Sequence, residues 1–525
     1  MKKYIYYVAI LALGFASCEP ELENPVDENF YTSGTADFSN YVAVGNSLTA
    51  GYADGALYIT GQNNSYPSIM AQQFSLVGGG DFNQPLMDDN LGGLKLGGSQ
   101  IAENRFVLSV DANGNPGPAR LAGDPATDIS NVLTGSFNNM GVPGAKSFHL
   151  VAPGYGNVAG VPTGQANPYF VRIASEPNAT VIGDAIAQSP TFFSLWIGNN
   201  DILSYATSGG VGVDQTGNLD PTTYGSNDIT DPNVFASVYQ SQVDLLTGTG
   251  AQGALINIAD VTSIPFFTTV PFAPLSPANP SFGPLIPTLN ATYAQLNGAF
   301  AFLGVPERSI SFATDAASAV VVLDESLANI STQLTQVLIG GGLDAPTATI
   351  FGLQYGQARQ ATASDLLLLT SSGAIGQLNQ GRLDQLLAFG VPAETAAQLS
   401  VNGVTWPMED QWVLTPTEQA SVSAAQASYN ATIQALAGIN DLAYVDVRAV
   451  LQQVAGGGVP FDGGVVTSTF VTGGGFSLDG VHPSPRGYAL TTNVIIDAIN
   501  TKYGSTVPNV NIGEYGTVTI SNDVN

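Results

Sequence analysis

The residues with the clearest chemical potential are an aspartate and a histidine on one short segment. Asp479 precedes His482 by three positions in Asp-Gly-Val-His, so its carboxylate can reach the imidazole. An imidazole held by a carboxylate can act as a general base that removes a proton from a hydroxyl. His149 is the only other histidine, and because no acidic residue lies within ten positions of it, we expect it to cap or decorate a surface helix.

A hydroxyl that such a base could activate lies near the N-terminus. Ser47 stands in Gly45-Asn46-Ser47-Leu48, directly after the apolar run 41–45. The glycine permits a sharp exit from a strand, which places the hydroxyl at a strand-to-helix turn. A serine at such a turn is more often a helix cap, so the nucleophile interpretation depends on its partners.

Two further segments carry groups that could stabilise negative charge. Gly144 lies in Asn-Met-Gly-Val-Pro-Gly-Ala, a loop whose glycines leave backbone N–H groups approachable. Asn200 lies in Gly-Asn-Asn-Asp at the end of another apolar run and offers a side-chain amide. Taken singly, the first segment is typical of an ordinary turn and the second of an Asx-rich loop.

Short apolar runs alternate with helical patterns along the chain and give these segments a frame. Fully apolar strands that alternate with helices predict a parallel sheet covered on both faces. In such sheets, ligands bind beyond the carboxyl ends of the strands. We predict strands at 41–45, 192–198, 254–259 and 442–447. We predict helices that begin at Asp231-Pro232, at the capping box of Thr415 and Glu418, and at Ser484-Pro485.

Taken in order, the four segments resemble the four sequence blocks of the SGNH subgroup of GDSL-type esterases and lipases. The resemblance implies an α/β fold, a three-layer α/β/α arrangement with a mostly parallel, flavodoxin-like sheet and large loop or helical insertions. It implies Ser47 as the nucleophile, His482 as the general base and Asp479 as the residue that orients the imidazole. The implied oxyanion hole consists of the backbone N–H groups of Ser47 and Gly144 and the side-chain amide of Asn200.

One position departs from the family pattern. The family name reflects Gly-Asp-Ser, whereas this chain has Asn46 before the serine. The amide keeps the shape and an acceptor oxygen but loses the charge. Because this side chain is neither nucleophile, base nor oxyanion donor, we expect the mechanism to survive and the hydrogen bonding of the serine loop to change.

Composition excludes several functions. The chain has 41 acidic and 13 basic residues, and a net charge of -28 argues against binding nucleic acid or anionic lipid through basic patches. One cysteine and two histidines cannot supply a zinc site of the usual ligands, and we expect no metal or other cofactor. The segment 111–115 has the spacing of calcium ligands, but Pro116 follows and no glutamate closes the loop, so we predict a plain hairpin.

The first residues predict export. Lys2 and Lys3 precede the apolar run 4–15, which is too short to span a bilayer, and small residues then lead to Cys18. We predict a signal peptide over residues 1–17. The position of the cysteine resembles the bacterial lipoprotein signal and implies that Cys18 becomes a lipidated N-terminus, with simple secretion as the alternative.

The acidic stretch after the cysteine predicts a flexible tether over residues 18–38. It also resembles the signals that send some Gram-negative lipoproteins to the cell surface. We therefore expect a cell-envelope protein, an outer-membrane lipoprotein that contacts the membrane through its N-terminal lipid anchor.

We predict that the remainder, residues 39–525, forms one hydrolase-like domain with insertions near 81–148 and 266–412. The proline-rich stretch that contains Phe266, Phe267 and Phe272 suits a stiff loop over an apolar cleft, although a loop packed on the core has the same composition.

The apolar insertions bear on the substrate. Because they suit acyl chains, we favour a lipase or short-chain esterase over a carbohydrate acetylesterase, with a small-molecule, lipid or glycan ester as the substrate. A non-catalytic surface lipoprotein that binds glycan or lipid, with Asn46 as a sign of decay, is the alternative. The full set of implied catalytic positions argues against it.

Overall fold

A parallel sheet lies at the centre of the computed structural model, which describes residues 30–111 and 114–520. Its strands are β1 (Tyr41–Gly45), β2 (Asn139–Gly141), β3 (Phe192–Trp196), β4 (Gln252–Ile256) and β5 (Ala443–Val445). They lie in the spatial order β5-β4-β3-β1-β2, and all neighbours are parallel. Read from the other edge this is 2-1-3-4-5, the strand order of flavodoxin-like sheets.

The helices connect these strands and build the insertions. They are α1 (Ser47–Ala50), α2 (Ile59–Asn63), α3 (Tyr66–Ser75), α4 (Pro168–Val171), α5 (Val181–Ile186), α6 (Asn200–Thr207), α7 (Pro232–Thr247), α8 (Pro265–Thr268), α9 (Ile286–Phe302), α10 (Ser331–Gly340), α11 (Ala345–Tyr355), α12 (Gln380–Ala388), α13 (Ala393–Gln398), α14 (Pro416–Ile439), α15 (Val447–Gly456) and α16 (Pro485–Tyr503). None of the helices in the described part of the chain has both the length and the apolar character needed to cross a membrane.

The remaining strands are short and form antiparallel pairs outside the central sheet. The pairs are Leu94–Leu96 with Ser99–Ala102, Phe106–Val110 with Pro116–Arg120, Val321–Leu323 with Ala358–Gln360, Leu366–Leu367 with Val413–Leu414, and Val459–Phe461 with Gly464–Val466. The second pair confirms the hairpin predicted around residues 111–115.

Aromatic side chains pack helices onto the sheet. Tyr41 and Phe192 are register partners and point to the same face, because side chains alternate along a strand. The rings of Phe74 in α3 and Tyr503 in α16 pack against this face. Helices α7 and α14 pack against each other and α14 contacts β4 and β5, so helices flank the sheet.

The predicted strands and helices are present with small differences at their ends. Strand β1 occupies the predicted residues, whereas β3, β4 and β5 end two or three residues earlier than predicted. The capping box of α14 is formed, with Glu418 accepting from the Thr415 backbone N–H. Strand β2 was not predicted, because its three residues, Asn-Met-Gly, have the composition of a turn.

The second large insertion has a hydrophobic core of its own. Buried side chains between Leu275 and Val413 form a cluster separate from the one around the central sheet. Helices α9, α10 and α11 pack around it. The segment from Leu366 to Gly373 consists of a two-residue strand followed by a 3-10 helix.

The packed chain begins earlier than residue 39. Phe38 is 2% exposed and stacks on Phe74 with ring centroids 4.0 Å apart. The Thr35 N–H donates to the Tyr503 carbonyl, and the Thr506 N–H donates to that of Thr32. The end of the predicted tether is therefore part of the folded domain. The predicted signal peptide, Cys18 and the first part of the tether lie outside the described residues.

Burial of Phe38 leads to a prediction about stability. Phe38→Ala should lower the free energy of unfolding by about 3–5 kcal/mol, because it removes a fully buried ring and leaves a cavity. The matched control is Phe30→Ala, since Phe30 is 67% exposed, and it should change the value by less than about 0.5 kcal/mol. Urea denaturation of the two variants measures both values. If both substitutions changed the free energy of unfolding equally, Phe38 would belong to a flexible tether and not to the folded domain.

Candidate active site

Ser47 lies where β1 turns into α1. Gly45 ends the strand, and a Cβ on it would lie 2.3 Å from the Trp196 carbonyl oxygen, so only glycine fits. Asn46 caps the helix through its side-chain oxygen, which accepts from the Leu48 N–H at 3.0 Å. The serine is therefore the first residue of the helix rather than its cap, and its hydroxyl is available for other partners.

The structure brings Ser47, His482 and Asp479 together. His482 Nε2 lies 2.9 Å from Ser47 Oγ. On the other side of the ring, His482 Nδ1 lies 2.9 Å from Asp479 Oδ2. The ring thus links the hydroxyl to the carboxylate at hydrogen-bond distance on both sides.

The Asp479 carboxylate has several further partners. The Val481 and His482 N–H groups each donate to Oδ1 at 2.9 Å, and the Ser477 hydroxyl donates to it at 3.0 Å. The Gly55 N–H donates to Oδ2 at 2.9 Å. Burial by itself raises the pKa of Asp479, but the interactions with His482 and the backbone donors outweigh it and lower the pKa to about 2. The carboxylate is therefore ionised at neutral pH.

A tight turn before α16 presents the histidine. Gly480 has φ +72°, a left-handed conformation that favours glycine, and its N–H donates to the Ser477 carbonyl at 3.0 Å. The Ser477 N–H donates to the His482 carbonyl at 2.8 Å. Ser484 then caps α16 by accepting from the Gly487 N–H. The turn and the cap together fix the loop that carries Asp479 and His482.

The three implied oxyanion donors lie after β1, β2 and β3, which are neighbours in the sheet. Asn200 Nδ2 donates one hydrogen to the Ala145 carbonyl at 2.9 Å, so this amide lies next to the Gly144 loop. Its second hydrogen is left for another acceptor. Among the described residues, neither the Ser47 N–H nor the Gly144 N–H has an acceptor. Three donors are thus available at this edge of the sheet.

A buried aspartate holds the loop that carries Gly144. Asp201 Oδ2 accepts from the Ser147 N–H at 2.8 Å, and its Oδ1 accepts from the Ser147 hydroxyl at 2.6 Å. Asn167 Nδ2 donates at 2.7 Å to the carbonyl of Pro143, the residue that directly precedes Gly144. Sequence reasoning missed both residues, although Asp201 directly follows Asn200.

The second histidine also supports this loop. His149 Nδ1 accepts from the Lys146 N–H at 3.0 Å and so caps a short 3-10 helix, Ser147–Val151. Burial, with a smaller effect from Lys146, lowers the pKa of His149 to about 4, so the ring is neutral and can accept. The predicted capping role is present, but the ring stacks on Tyr155 at 4.6 Å instead of decorating the surface.

Asn46 forms one contact that an aspartate could not form in the same way. Its Nδ2 donates to Asn199 Oδ1 at 3.2 Å. A carboxylate has no hydrogen to donate when it is ionised, so Asn199 would have to turn its own amide toward it. The cap on Leu48 is kept by either residue. The departure from the family pattern therefore changes the bond to Asn199 and leaves the cap intact.

Two cavities reach the group of Ser47, Asp479 and His482. The first, called here the large groove, has a volume of about 1670 Å³ and lies between the two insertions and the core, with Asp479 and His482 in its wall. The second, called here the small pocket, has a volume of about 120 Å³ and contains Ser47, Asn200 and His482. In each of the two cavities, most of the side chains in the lining are apolar.

The roof of the large groove differs from the expectation. Phe266 lines it as expected, together with Phe282. Phe267 is 1% exposed and belongs to the core around the central sheet. Phe272 packs against the core of the second insertion. Phe267 and Phe272 therefore pack in hydrophobic cores and are not part of the groove lining.

In the described part of the chain, one group of acidic side chains has the spacing of metal ligands. Carboxylate oxygens of Glu325, Asp410 and Glu418 lie within 4.8 Å of one another. Burial, followed by the charges of Glu325 and Glu418, raises the pKa of Asp410 to about 8. A proton held by Asp410 thus reduces the repulsion at neutral pH. None of the predicted catalytic residues belongs to this group.

The chain was compared with profiles of protein families, with curated proteins and with solved structures, and none of them matches it.

The raised pKa of Asp410 predicts a pH-dependent stability. The folded chain keeps this proton where the unfolded chain, with a pKa near 4, has lost it, so this group lowers the free energy of unfolding as pH rises from about 4 to about 8. Between pH 5 and pH 8, the free energy of unfolding of Asp410→Asn should therefore rise by about 1–2 kcal/mol relative to that of the unmodified chain. This magnitude includes the effect of solvent screening.

Urea denaturation at both pH values tests this expectation. The control is Glu103→Gln, which replaces an exposed carboxylate and should follow the unmodified chain. If Asp410→Asn and the unmodified chain lost stability in parallel, Asp410 would not hold the proton.

Proposed function

We propose that the protein is a serine hydrolase that cleaves carboxylic esters. The observation that carries the proposal is the hydrogen-bonded series of Ser47, His482 and Asp479, with both distances at 2.9 Å. A serine hydroxyl is a weak nucleophile by itself and needs an adjacent base. The imidazole supplies that base, and the ionised Asp479 fixes its orientation.

In the first half of the reaction, Ser47 Oγ attacks the ester carbonyl carbon while His482 Nε2 takes the hydroxyl proton. Asp479 keeps Nδ1 protonated and stabilises the positive charge that forms on the ring. The new bond joins Oγ to the acyl carbon. When the bond from that carbon to the alkoxy oxygen breaks, His482 gives its proton to the leaving alcohol, and an acyl-serine remains.

The tetrahedral intermediates carry negative charge on the former carbonyl oxygen. The Ser47 and Gly144 N–H groups and the free hydrogen of Asn200 Nδ2 are the donors for this oxygen. One such donor is worth about 3 kcal/mol in the transition state. In the second half, His482 Nε2 takes a proton from a water whose oxygen bonds to the acyl carbon. The bond from that carbon to Oγ then breaks, His482 returns the proton to Oγ, and the acid leaves free Ser47.

Membership of the SGNH group of GDSL-type hydrolases is part of this proposal. Its support is the order of the four blocks along the chain and the sheet order 2-1-3-4-5. The apolar walls of both cavities favour an ester with apolar parts over a carbohydrate acetate. A cleft that only binds a ligand needs no imidazole between a hydroxyl and an ionised carboxylate.

Covalent labelling tests the enzyme proposal directly. A fluorophosphonate should form one adduct per chain, on Ser47, because only a serine activated by a base reacts. Labelling should disappear in Ser47→Ala, and Asp479→Asn should lower the turnover of p-nitrophenyl esters about 10⁴-fold. Mass spectrometry and an ester assay measure the two effects, and circular dichroism checks that each variant folds.

Ser65→Ala is the matched control for labelling. Ser65 caps α3 by accepting from the Ser68 N–H and is an ordinary capping serine. Labelling should persist in this variant. A folded protein that neither labels nor hydrolyses any ester from acetate to palmitate would be a binding protein.

We also propose that the protein is an outer-membrane lipoprotein of the cell envelope, with its folded domain on the periplasmic or the cell-surface side of that membrane. The support is the position of Cys18 after the short apolar run and the small residues. Because Cys18 is the only cysteine of the chain, it is the one residue that the lipoprotein pathway could modify in this way.

The anchor proposal predicts the effect of one substitution. Cys18→Ser should release the folded protein from the membrane fraction, since no lipid can then be attached. Fractionation of cells and immunoblotting measure the distribution. Ser17→Ala, which keeps a small residue before the cysteine, is the control and should stay with the membrane. Retention of Cys18→Ser would contradict a lipid anchor.

A further inference from the structure

Two apolar cavities of very different size meet at the catalytic histidine. His482, Leu203 and Val481 line both of them. Ser47 and Asn200 line the small pocket, whereas Tyr52 and Asp479 line the large groove. An ester has two halves, and these linings assign one half to each cavity.

The acyl half belongs to the small pocket. During the reaction the acyl carbon is bonded to Ser47 Oγ, and its oxygen faces the amide of Asn200. The small pocket contains both of these residues in its wall, and the large groove contains neither. An acyl chain that starts at this carbon therefore has an apolar cavity directly beside it, without passing the imidazole.

The alcohol half belongs to the large groove. Its oxygen must lie close to His482 Nε2, because the imidazole gives it the proton when the ester bond breaks. The ring of Tyr52 lies against that of His482, with centroids 4.7 Å apart, and Tyr52 lines the groove together with Phe266 and Phe282. An alcohol that leaves past the imidazole thus enters the groove.

The volumes then limit what each half can be. A cavity of 150 Å³ holds a benzene molecule, so the small pocket, at about 120 Å³, takes an acyl chain of roughly four to six carbons. The large groove, at about 1670 Å³, exceeds the range of roughly 300–1,000 Å³ that is usual for drug-sized ligands. It has space for a long or polycyclic alcohol.

We infer that the substrate is a short-chain acyl ester of a large apolar alcohol. The inference rests on the proposed esterase function and refines it, because it limits the acyl chain and gives the apolar insertions to the alcohol. Phe266 and Phe282 would then contact the leaving group. This reverses the expectation that the insertions accommodate the acyl chain.

Two series of esters test the inference. In the first, p-nitrophenyl esters carry acyl chains from two to twelve carbons. In the second, butanoate esters carry straight-chain alcohols from ethanol to dodecanol. We expect kcat/KM to fall at least tenfold between acyl chains of six and ten carbons, and to rise by up to about fourfold per methylene along the alcohol series.

A matched pair of variants separates the two cavities. Leu451 lines the small pocket and Leu289 lines the large groove, and both are partly buried. Leu451→Ala should shift the best acyl chain to one longer by about two carbons and leave the slope of the alcohol series unchanged. Leu289→Ala should flatten the alcohol series and leave the best acyl chain unchanged.

The outcomes distinguish this inference from the function on which it rests. A kcat/KM that rises to twelve acyl carbons, or that does not depend on the alcohol, would overturn the division of the ester while the enzyme proposal stands. No hydrolysis in either series, together with no fluorophosphonate adduct, would overturn the enzyme proposal and this inference with it. Unmodified protein alone decides between these outcomes, so they do not depend on how the variants fold.

Discussion

The molecule depends first on a charge in the wall of the large groove, the carboxylate of Asp479, whose side chain is 11% exposed. An ionised group that has lost most of its contact with water is stable only when the protein supplies donors in its place. Those donors come from the Gly55 backbone, from the turn before α16 and from the imidazole of His482. Segments more than 400 positions apart in the chain are therefore held together by one side chain, and the imidazole ring of His482 is fixed as a consequence.

A second carboxylate, that of Asp201, is fully buried and has the same effect on the loop that carries Gly144. Asp201 takes both hydrogen bonds from Ser147, just beyond Gly144, and it lies next to Asn200 in α6. Burial raises the pKa of Asp201, while the bonds from Ser147 oppose that effect. The loop that carries His482 and the loop that carries Gly144 are thus each fixed by an aspartate.

Local patterns predicted the parts of the molecule that short-range physics decides. An apolar run before Gly45, a capping box at Thr415 and a carboxylate three residues before His482 each carry their signal within a few positions, and the structure contains all three. Strand β2 was missed because three residues that read as a turn become a strand only through pairing with β1. The prediction that Phe267 and Phe272 lie over the apolar cleft was wrong, because the composition of a loop does not reveal which neighbouring residues cover its aromatic side chains. The support from Asn167 and Asp201 depends on contacts between distant segments, which no local pattern contains.

The ends of α16 have a consequence for orientation. The helix begins at the loop of His482 and ends at Tyr503, whose carbonyl holds Thr35. With 19 residues it is about 28 Å long. The folded chain therefore starts at the base of the sheet, opposite the edge that carries Ser47. A lipid on Cys18, as proposed above, would therefore attach the domain on the side of this base, and the edge that carries Ser47 lies on the side away from the point of attachment.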